Sequence, residues 1–129
     1  MITYNDRMTR GQTKVITLRV RDSSGQPLDL TNDEIYFAMT ADIKIAPSVK
    51  LTTESNQDGW RQGIEIADQT QFKGQFVITL IPDDTTDLVA MGDDDPWLYD
   101  VWIVDDTVGT LPVVDKSTMG LYPQITPVP

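Results

Sequence analysis

The sequence of 129 residues contains no cysteine and no histidine. This excludes zinc sites of the usual Cys/His type, thiol nucleophiles, and Ser-His-Asp or Cys-His catalytic arrangements. It also removes the one side chain that titrates near neutral pH without a perturbing environment. Because most of the common catalytic groups are missing, we predict a protein that is not an enzyme, with no catalytic residues, no cofactor and no tightly bound metal.

Basic residues and long apolar runs are also scarce. The chain has 10 Lys and Arg against 20 Asp and Glu, a formal net charge of −10, which disfavours nucleic acid as a partner. No apolar stretch approaches the ~20 residues of a membrane span, so no membrane partner is expected. Seventeen of the 20 acids are Asp, a turn residue more than a helix-surface residue, and this bias favours strands and loops over helices.

The charge is unevenly distributed along the chain. Residues 1–21 carry five bases and one acid, 5 − 1 = +4, whereas residues 83–106 carry nine aspartates and no base, −9. One interpretation is a set of solvated loops. The other is a basic surface on one copy that faces an acidic surface on a neighbouring copy.

Four segments alternate apolar and polar residues with the period of a half-buried strand: "TKVITLRVR", "IYFAMT", "QFVITLI" and "WLYDVWIVDD". Shorter strands are predicted in "SVKLTTE" and "GIEIAD", with turns such as "DSSGQP" between them. The alternation predicts a core shared by two sheets, formed by Ile16, Leu18, Val20, Phe37, Ile78, Leu80, Tyr99, Val101 and Ile103.

Only "PDDTTDLVAMG" (82–92) is suited to a helical turn, with Leu88 directed into the core. The proline-containing segments after residue 106 are expected to be edge strands. The pattern predicts an all-β fold, a two-sheet sandwich of about seven to eight short strands with at most one short helical turn. We divide the chain into an N-terminal arm (1–12), the sandwich domain (13–122) and a C-terminal tail (123–129).

The aspartate run in "GDDDPWLYDVWIVDD" (92–106) admits a metal site, a catalytic carboxylate cluster or an acidic strand end without chemistry. The spacing does not match an EF-hand loop, which leaves a looser calcium site at Asp93 and Asp95 as the metal alternative. Abundant aspartate makes chance carboxylate pairs common, so a glycosidase-type pair has no specific support. We expect these acids to cap a turn and to keep the end of the sheet solvated.

The order of several sequence blocks resembles a known family. "RGQT" is followed by "DSSGQPLDLT", "IYFAMT", "GQFVITLIPDDTTDL" and "WLYDVWIVD". This order is similar to that of the immunoglobulin-like structural domain of tailed bacteriophages, as in the N-terminal domain of phage baseplate upper proteins. The similarity covers roughly residues 10–106, and "LIPDDTTDL" and "LYDVWIVD" are its most specific parts. It implies an immunoglobulin-like topology in which "GDDDPW" is a loop before the penultimate strand.

The resemblance also implies a function. We expect a non-enzymatic virion structural protein, a connector or adaptor in a phage tail, baseplate or neck, assembled in the host cytoplasm and located in the virion. Its partners would be other copies of itself, in a symmetric homo-oligomer, and other virion proteins. The alternative is a virion-surface module that binds carbohydrate or a host receptor, for which tryptophans beside turns would provide stacking surfaces.

Exposed tryptophans in a chain with this charge asymmetry more often mark a protein interface than a sugar platform. The arm supplies further apolar anchors together with its arginines, and Met1 and Ile2 lie at its start. The predicted interface residues are Tyr4, Arg7, Met8, Arg10, Trp60 and Trp97.

Overall fold

The computed structural model describes residues 3–55, 57–105 and 109–123. Residues Met1 and Ile2, two of the predicted arm anchors, lie outside these ranges, as does most of the predicted tail. The strands of the described residues are β1 (Asn5–Thr9), β2 (Lys14–Arg19), β3 (Glu34–Thr40), β4 (Val49–Thr52), β5 (Arg61–Gln62), β6 (Ile64–Ile66), β7 (Gln75–Leu80), β8 (Gly92–Asp105) and β9 (Gly109–Tyr122).

These strands form two sheets. The large sheet has the order β1-β9-β8-β3-β4-β5, and the small sheet has the order β2-β7-β6. In chain order, β2, β6 and β7 take the places of immunoglobulin strands B, D and E, while β3, β8 and β9 take those of C, F and G. Strands β4 and β5 extend the large sheet beyond β3, and β1 runs parallel to β9 at its other edge. The predicted all-β two-sheet sandwich is confirmed.

The core lies between the two sheets. All nine side chains that the alternation predicted to be buried are buried, so the predicted strand phases are correct. Within the small sheet Ile16 lies opposite Ile78, and within the large sheet Phe37 lies opposite Val101. The rings of Phe37 and Tyr99 stack at a tilt with 5.3 Å between their centroids.

A single short helix, α1 (Pro82–Thr85), follows β7 among the described residues. Proline at its first position needs no N–H partner, and the Asp84 carboxylate accepts the Ile81 N–H at 2.8 Å. Leu88 packs partly buried against the core, as the sequence predicted. No helix in the described parts of the chain is long and apolar enough to cross a membrane.

One glycine closes the turn before β7 in a way that no other residue allows. Gly74 is buried, has a φ of 84°, and accepts the Val20 N–H at 2.7 Å through its carbonyl oxygen. A Cβ at this position would lie 2.5 Å from the Val20 carbonyl oxygen. Glycine therefore allows the turn to approach the end of β2 closely enough to bond with it.

Two strand predictions need correction. Strands β8 and β9 have 14 residues each and are not short, and β9 lies between β1 and β8 rather than at an edge. Proline is tolerated in β9 because β1 pairs only with residues 118–122. The half of β9 that contains Pro112 pairs with β8 alone among the described residues, so no second strand needs an N–H from Pro112 on the open side of β9.

The predicted N-terminal arm also needs correction. Residues Asn5–Thr9 form β1, which pairs with β9 from Asn5 opposite Thr118 to Thr9 opposite Tyr122. The sequence "NDRMT" has a single large apolar residue, Met8, which is too little for a periodic signal. This strand is recognisable only through its partner, because a parallel edge pairing between the two ends of the chain leaves no local pattern.

Candidate interaction surfaces

The aspartate run lies at the start of β8 and not in a loop before it, which corrects the predicted position. Asp93 Oδ2 lies 2.9 Å from Nη2 of Arg7, while Asp94 and Asp95 are exposed. Among the residues that the structure describes, no group of three or more acidic side chains could hold a metal ion. The loose calcium site at Asp93 and Asp95 therefore gains no support there, and the expected lack of a metal stays a prediction.

Two of the six predicted interface residues belong to the core. Met8 and Trp97 are each 7% exposed. Met8 lies opposite Leu121 in β9, and the indole N–H of Trp97 donates to the Val89 carbonyl at 2.9 Å. The prediction that these two side chains anchor a neighbouring copy is wrong. The burial of Trp97 could have been predicted from the sequence. Trp97 lies two residues before Tyr99, and side chains two residues apart in a strand lie on the same face.

Other described residues of the predicted arm also bind to their own chain. The Tyr4 N–H donates to the Ser117 hydroxyl at 2.7 Å, and the Tyr99 hydroxyl donates to the Asp6 carboxylate. Burial, and then the bond to Asp6, raise the pKa of Tyr99 well above its usual range. These contacts tie β1 to β8 and β9 by side chains as well as by strand pairing.

The basic and acidic segments meet inside one chain. Arg7 pairs with Asp93 as described, and the Arg10 guanidinium donates to the Leu88 carbonyl at 3.0 Å. The side chains of Arg7 and Asp93 are 71% and 52% exposed, and a surface pair of this kind contributes only about 0–1 kcal/mol. Part of the charge split is thus intramolecular, and an interface role for Arg7 and Arg10 stays a prediction.

A row of aromatic side chains crosses the outer face of the large sheet. The rings of Trp60 and Tyr36 meet edge to face with 5.1 Å between their centroids. Tyr36 lies opposite Trp102 across β3 and β8, and Trp102 lies opposite Pro112 across β8 and β9. We call Trp60, Tyr36, Trp102 and Pro112 the aromatic row. Trp102 remains 38% exposed, so the row presents apolar surface to solvent.

Acidic side chains hold two members of the row in place. The Tyr36 hydroxyl donates to Glu34 at 2.8 Å, and the indole N–H of Trp102 donates to Asp100 at 3.1 Å. The bond to Glu34, followed by burial, raises the pKa of Tyr36. The polar atoms of these rings are occupied at the sheet surface, which leaves their apolar edges and faces for contact.

Trp60 is the one predicted interface residue in the row. The Lys50 ammonium lies 5.6 Å from the centroid of its ring, a cation–π arrangement. One face of this indole is thus occupied and the ring also meets Tyr36 edge to face, which is a poor geometry for stacking a sugar ring. The carbohydrate alternative, which also counted Trp97 as exposed, gains nothing from these two tryptophans.

An open apolar groove of about 250 Å³ lies beside the aromatic row on the same face. It is lined by Ala38 of β3, Leu98 of β8, and Ile43, Ile45 and Pro47 of the connection between β3 and β4. Ile43 is 63% exposed and Ile45 is 54% exposed. The row and the groove lie side by side, with Asp100 between Trp102 and Leu98, and together we call them the large-sheet face.

Sequence reasoning missed this face, although part of the signal was present. Alternation placed Trp102 opposite the core side of its strand, and Tyr36 occupies the same position relative to Phe37. What the sequence lacks is the cross-strand register that puts Tyr36 beside Trp102 and Trp60 beside Tyr36. Register between distant strands is a tertiary property, so scattered exposed aromatics could not be joined into a row.

No protein-family model matches this chain, and no curated protein matches it either. The resemblance to the phage domain rests on sequence blocks, which can be placed on the strands. "LIPDDTTDL" covers the end of β7 and helix α1, and "LYDVWIVD" forms most of β8. Both blocks contribute core residues, among them Leu80 and Val101.

Proposed function

We propose that this protein is a non-enzymatic structural component of a tailed-phage virion, a connector or adaptor in the tail, baseplate or neck. It would be present in several symmetric copies that contact each other and other virion proteins. The observation that carries the proposal is the position of the two most specific resembling blocks. They lie on β7, α1 and β8, in a sandwich of the topology that the resemblance implies.

The exposed surface of the sandwich supports the same proposal. The aromatic row and the adjoining groove give the large sheet an apolar outer face rimmed by polar side chains, and surfaces of this kind mark protein interaction sites. Tryptophan and tyrosine are the residues enriched at the energetic centres of protein interfaces. A connector needs such a surface, because its role consists of contacts with neighbouring proteins.

Co-fractionation with particles tests the proposal. Tailed particles released from the native source are banded on a density gradient, and the chain is quantified by mass spectrometry against the other particle proteins. We expect the chain to band with the particles at a fixed ratio of several copies each. A host cytoplasmic protein of similar abundance serves as the control for carry-over. A chain that stays entirely in the soluble fraction contradicts the proposal.

A further inference from the structure

We propose that the large-sheet face docks against the same face of a second copy of this chain, which gives a symmetric homodimer. The geometry that points to this is the alignment of Trp60, Tyr36 and Trp102 in one row beside an open apolar groove. The inference concerns the purified chain in solution. It therefore does not depend on the virion role and can succeed or fail separately from it.

The charge of the face identifies the partner. Charged side chains that line the groove or lie beside the row include two bases and three acids, Lys50, Lys116, Glu34, Glu54 and Asp100, and the exposed connection that bears Ile43 and Ile45 adds one of each sign, Lys44 and Asp42, so 3 − 4 = −1. The whole chain carries −10. Two copies of so acidic a protein repel each other, and the repulsion is weakest where the surface is nearly neutral and apolar. A basic partner would select the acidic surfaces instead.

The arrangement of these charges also suits an identical partner. In a two-fold contact the same patch faces itself, so a patch of one sign would set like charges against each other. Here the bases Lys116 and Lys50 lie on β9 and β4, respectively. The acids Asp100 and Glu34 lie on β8 and β3, the two strands between them. A patch with both signs can face its copy with opposite charges in contact.

The size of the face fits a modest stable dimer. Four strands from β9 to β4 at ~4.8 Å spacing, and seven residues of β3 at ~3.4 Å each, project onto about 450 Å². Side-chain relief and the connection bearing Ile43 and Ile45 add to this projected area. The projected area alone is already more than half of the ~800 Å² per partner that standard interfaces bury.

Sedimentation equilibrium of the full-length chain and three variants tests the inference. The native chain is expected at twice the monomer mass at micromolar concentration. Trp102→Lys and Ile45→Lys each place a charge on the face, and each is expected to weaken the dimer at least about tenfold. Val15→Lys is the matched control, because Val15 is 55% exposed on the outer side of the small sheet. It is expected to leave dimerisation unchanged.

Circular dichroism shows whether each variant is folded. If Trp102→Lys does not fold, Ile45→Lys decides the outcome, because Ile45 lies in an exposed connection. A dimer that persists or tightens as salt is raised supports the neutral face. A native chain that sediments as a monomer overturns the inference. So does a dimer that survives the face substitutions or that dissociates equally in Val15→Lys.

Discussion

At the level of single residues, part of the excess of aspartate over glutamate has a structural cause. In four turns an aspartate carboxylate accepts the backbone N–H of the residue two positions later at 2.9 Å: Asp22 and Ser24, Asp29 and Thr31, Asp42 and Lys44, Asp68 and Thr70. Hydrogen bonds, first from the neighbouring hydroxyl, lower the pKa of Asp22 and Asp29. Glutamate is one methylene too long for this turn, so acids at turns became aspartates.

Residue burial makes Ile78 a critical core position. Its side chain is fully buried between the sheets and lies beside both Ile16 and Ile64 in the small sheet. Ile78→Ala removes apolar contacts and leaves a cavity, and it is expected to lower the free energy of unfolding by about 2–5 kcal/mol. Urea denaturation measures this. Val15→Ala on the solvent side of the same sheet should stay within about 0.5 kcal/mol, and equal losses for both would contradict the assigned strand phase.

Asp84 is the acid with the largest structural role that we assign. Its two oxygens accept hydrogen bonds from Arg61 Nε at 3.0 Å and Nη2 at 2.5 Å, and one also accepts the Ile81 N–H at 2.8 Å. Its side chain is 10% exposed. Asp84→Asn leaves the partly buried guanidinium without its counter-charge, and a loss of about 2–3 kcal/mol is expected on thermal or urea unfolding.

The neighbouring acid provides the control for that substitution. Asp83 lies in the same helical turn but is exposed, so Asp83→Asn should change stability by less than about 1 kcal/mol. Equal effects of the two substitutions would mean that helix charge, and not the bond to Arg61, explains the loss. Arg61→Ala combined with Asp84→Asn should cost less than the sum of the single changes, since the two groups share one interaction.

Tyr99 couples stability to alkaline pH. Its pKa is raised in the folded protein by burial and by the bond to Asp6, so above pH ~10 the unfolded chain loses this proton while the folded chain keeps it. The stability contributed by the neutral phenol is complete below pH ~10 and decreases by about 1.4 kcal/mol per pH unit above it. Above pH ~10, the free energy of unfolding of the native chain should therefore decrease relative to that of Tyr99→Phe. A pH-independent difference would contradict this reading.

At the level of secondary-structure elements, the sequence-based predictions were accurate for strands whose own residues alternate between apolar and polar. "TKVITLRVR", "IYFAMT", "QFVITLI" and "WLYDVWIVDD" became β2, β3, β7 and β8, because each needs one face in the core and repeats every second residue. The predictions were inaccurate where an element depends on a distant partner. The predicted arm and the predicted edge segments pair with each other as β1 and β9, and only the fold brings these two ends of the chain together.

The same distinction between local pattern and distant contacts applies to the candidate interaction surfaces. Alternation could place Trp102 outside the core and, extended by one step, Trp97 inside it. It could not show that Tyr36 contacts Trp60 or that Arg7 reaches Asp93, because these contacts join residues from separate strands. The composition predicted the size of the charge difference between the two segments. Only the fold shows that one of the ion pairs between them, Arg7 with Asp93, lies within a single chain.

The pairing of β1 changes what truncation should do. Removal of residues 1–10 takes away the strand that covers β9, the buried Met8 and the Asp6 bond to Tyr99, so the sandwich is expected to lose stability. Removal of an arm outside the sandwich, which is how the sequence analysis divided the chain, would have left the fold intact. Met8→Ala isolates the core contribution and should cost about 2–3 kcal/mol in urea unfolding.

Arg7→Ala in the same strand is the control for Met8→Ala. Its side chain is 71% exposed and its pair with Asp93 lies at the surface, so a change of at most about 1 kcal/mol is expected. Amide hydrogen exchange gives an independent reading, since truncation should expose residues 118–122 of β9 to faster exchange. If the truncated chain had the same unfolding midpoint as the native chain, β1 would contribute little to stability, and this would contradict the prediction.

At the scale of the whole molecule, the sandwich combines an acidic surface with one nearly neutral apolar face. The net charge of −10 makes copies of the chain repel each other and limits the places where they can meet. The large-sheet face, with its row of Trp60, Tyr36, Trp102 and Pro112, is the place that the described surface offers. Assembly through this face and a connector role in a particle are compatible, and each has its own test.

A cryo-electron microscopy reconstruction of the intact particle tests whether this chain is a structural component of a tailed-phage virion, as we propose. We expect density for a two-sheet sandwich, with a large sheet of the order β1-β9-β8-β3-β4-β5, in several symmetry-related copies in the tail, baseplate or neck. A complete map of those parts in which every density is assigned to other proteins would contradict it.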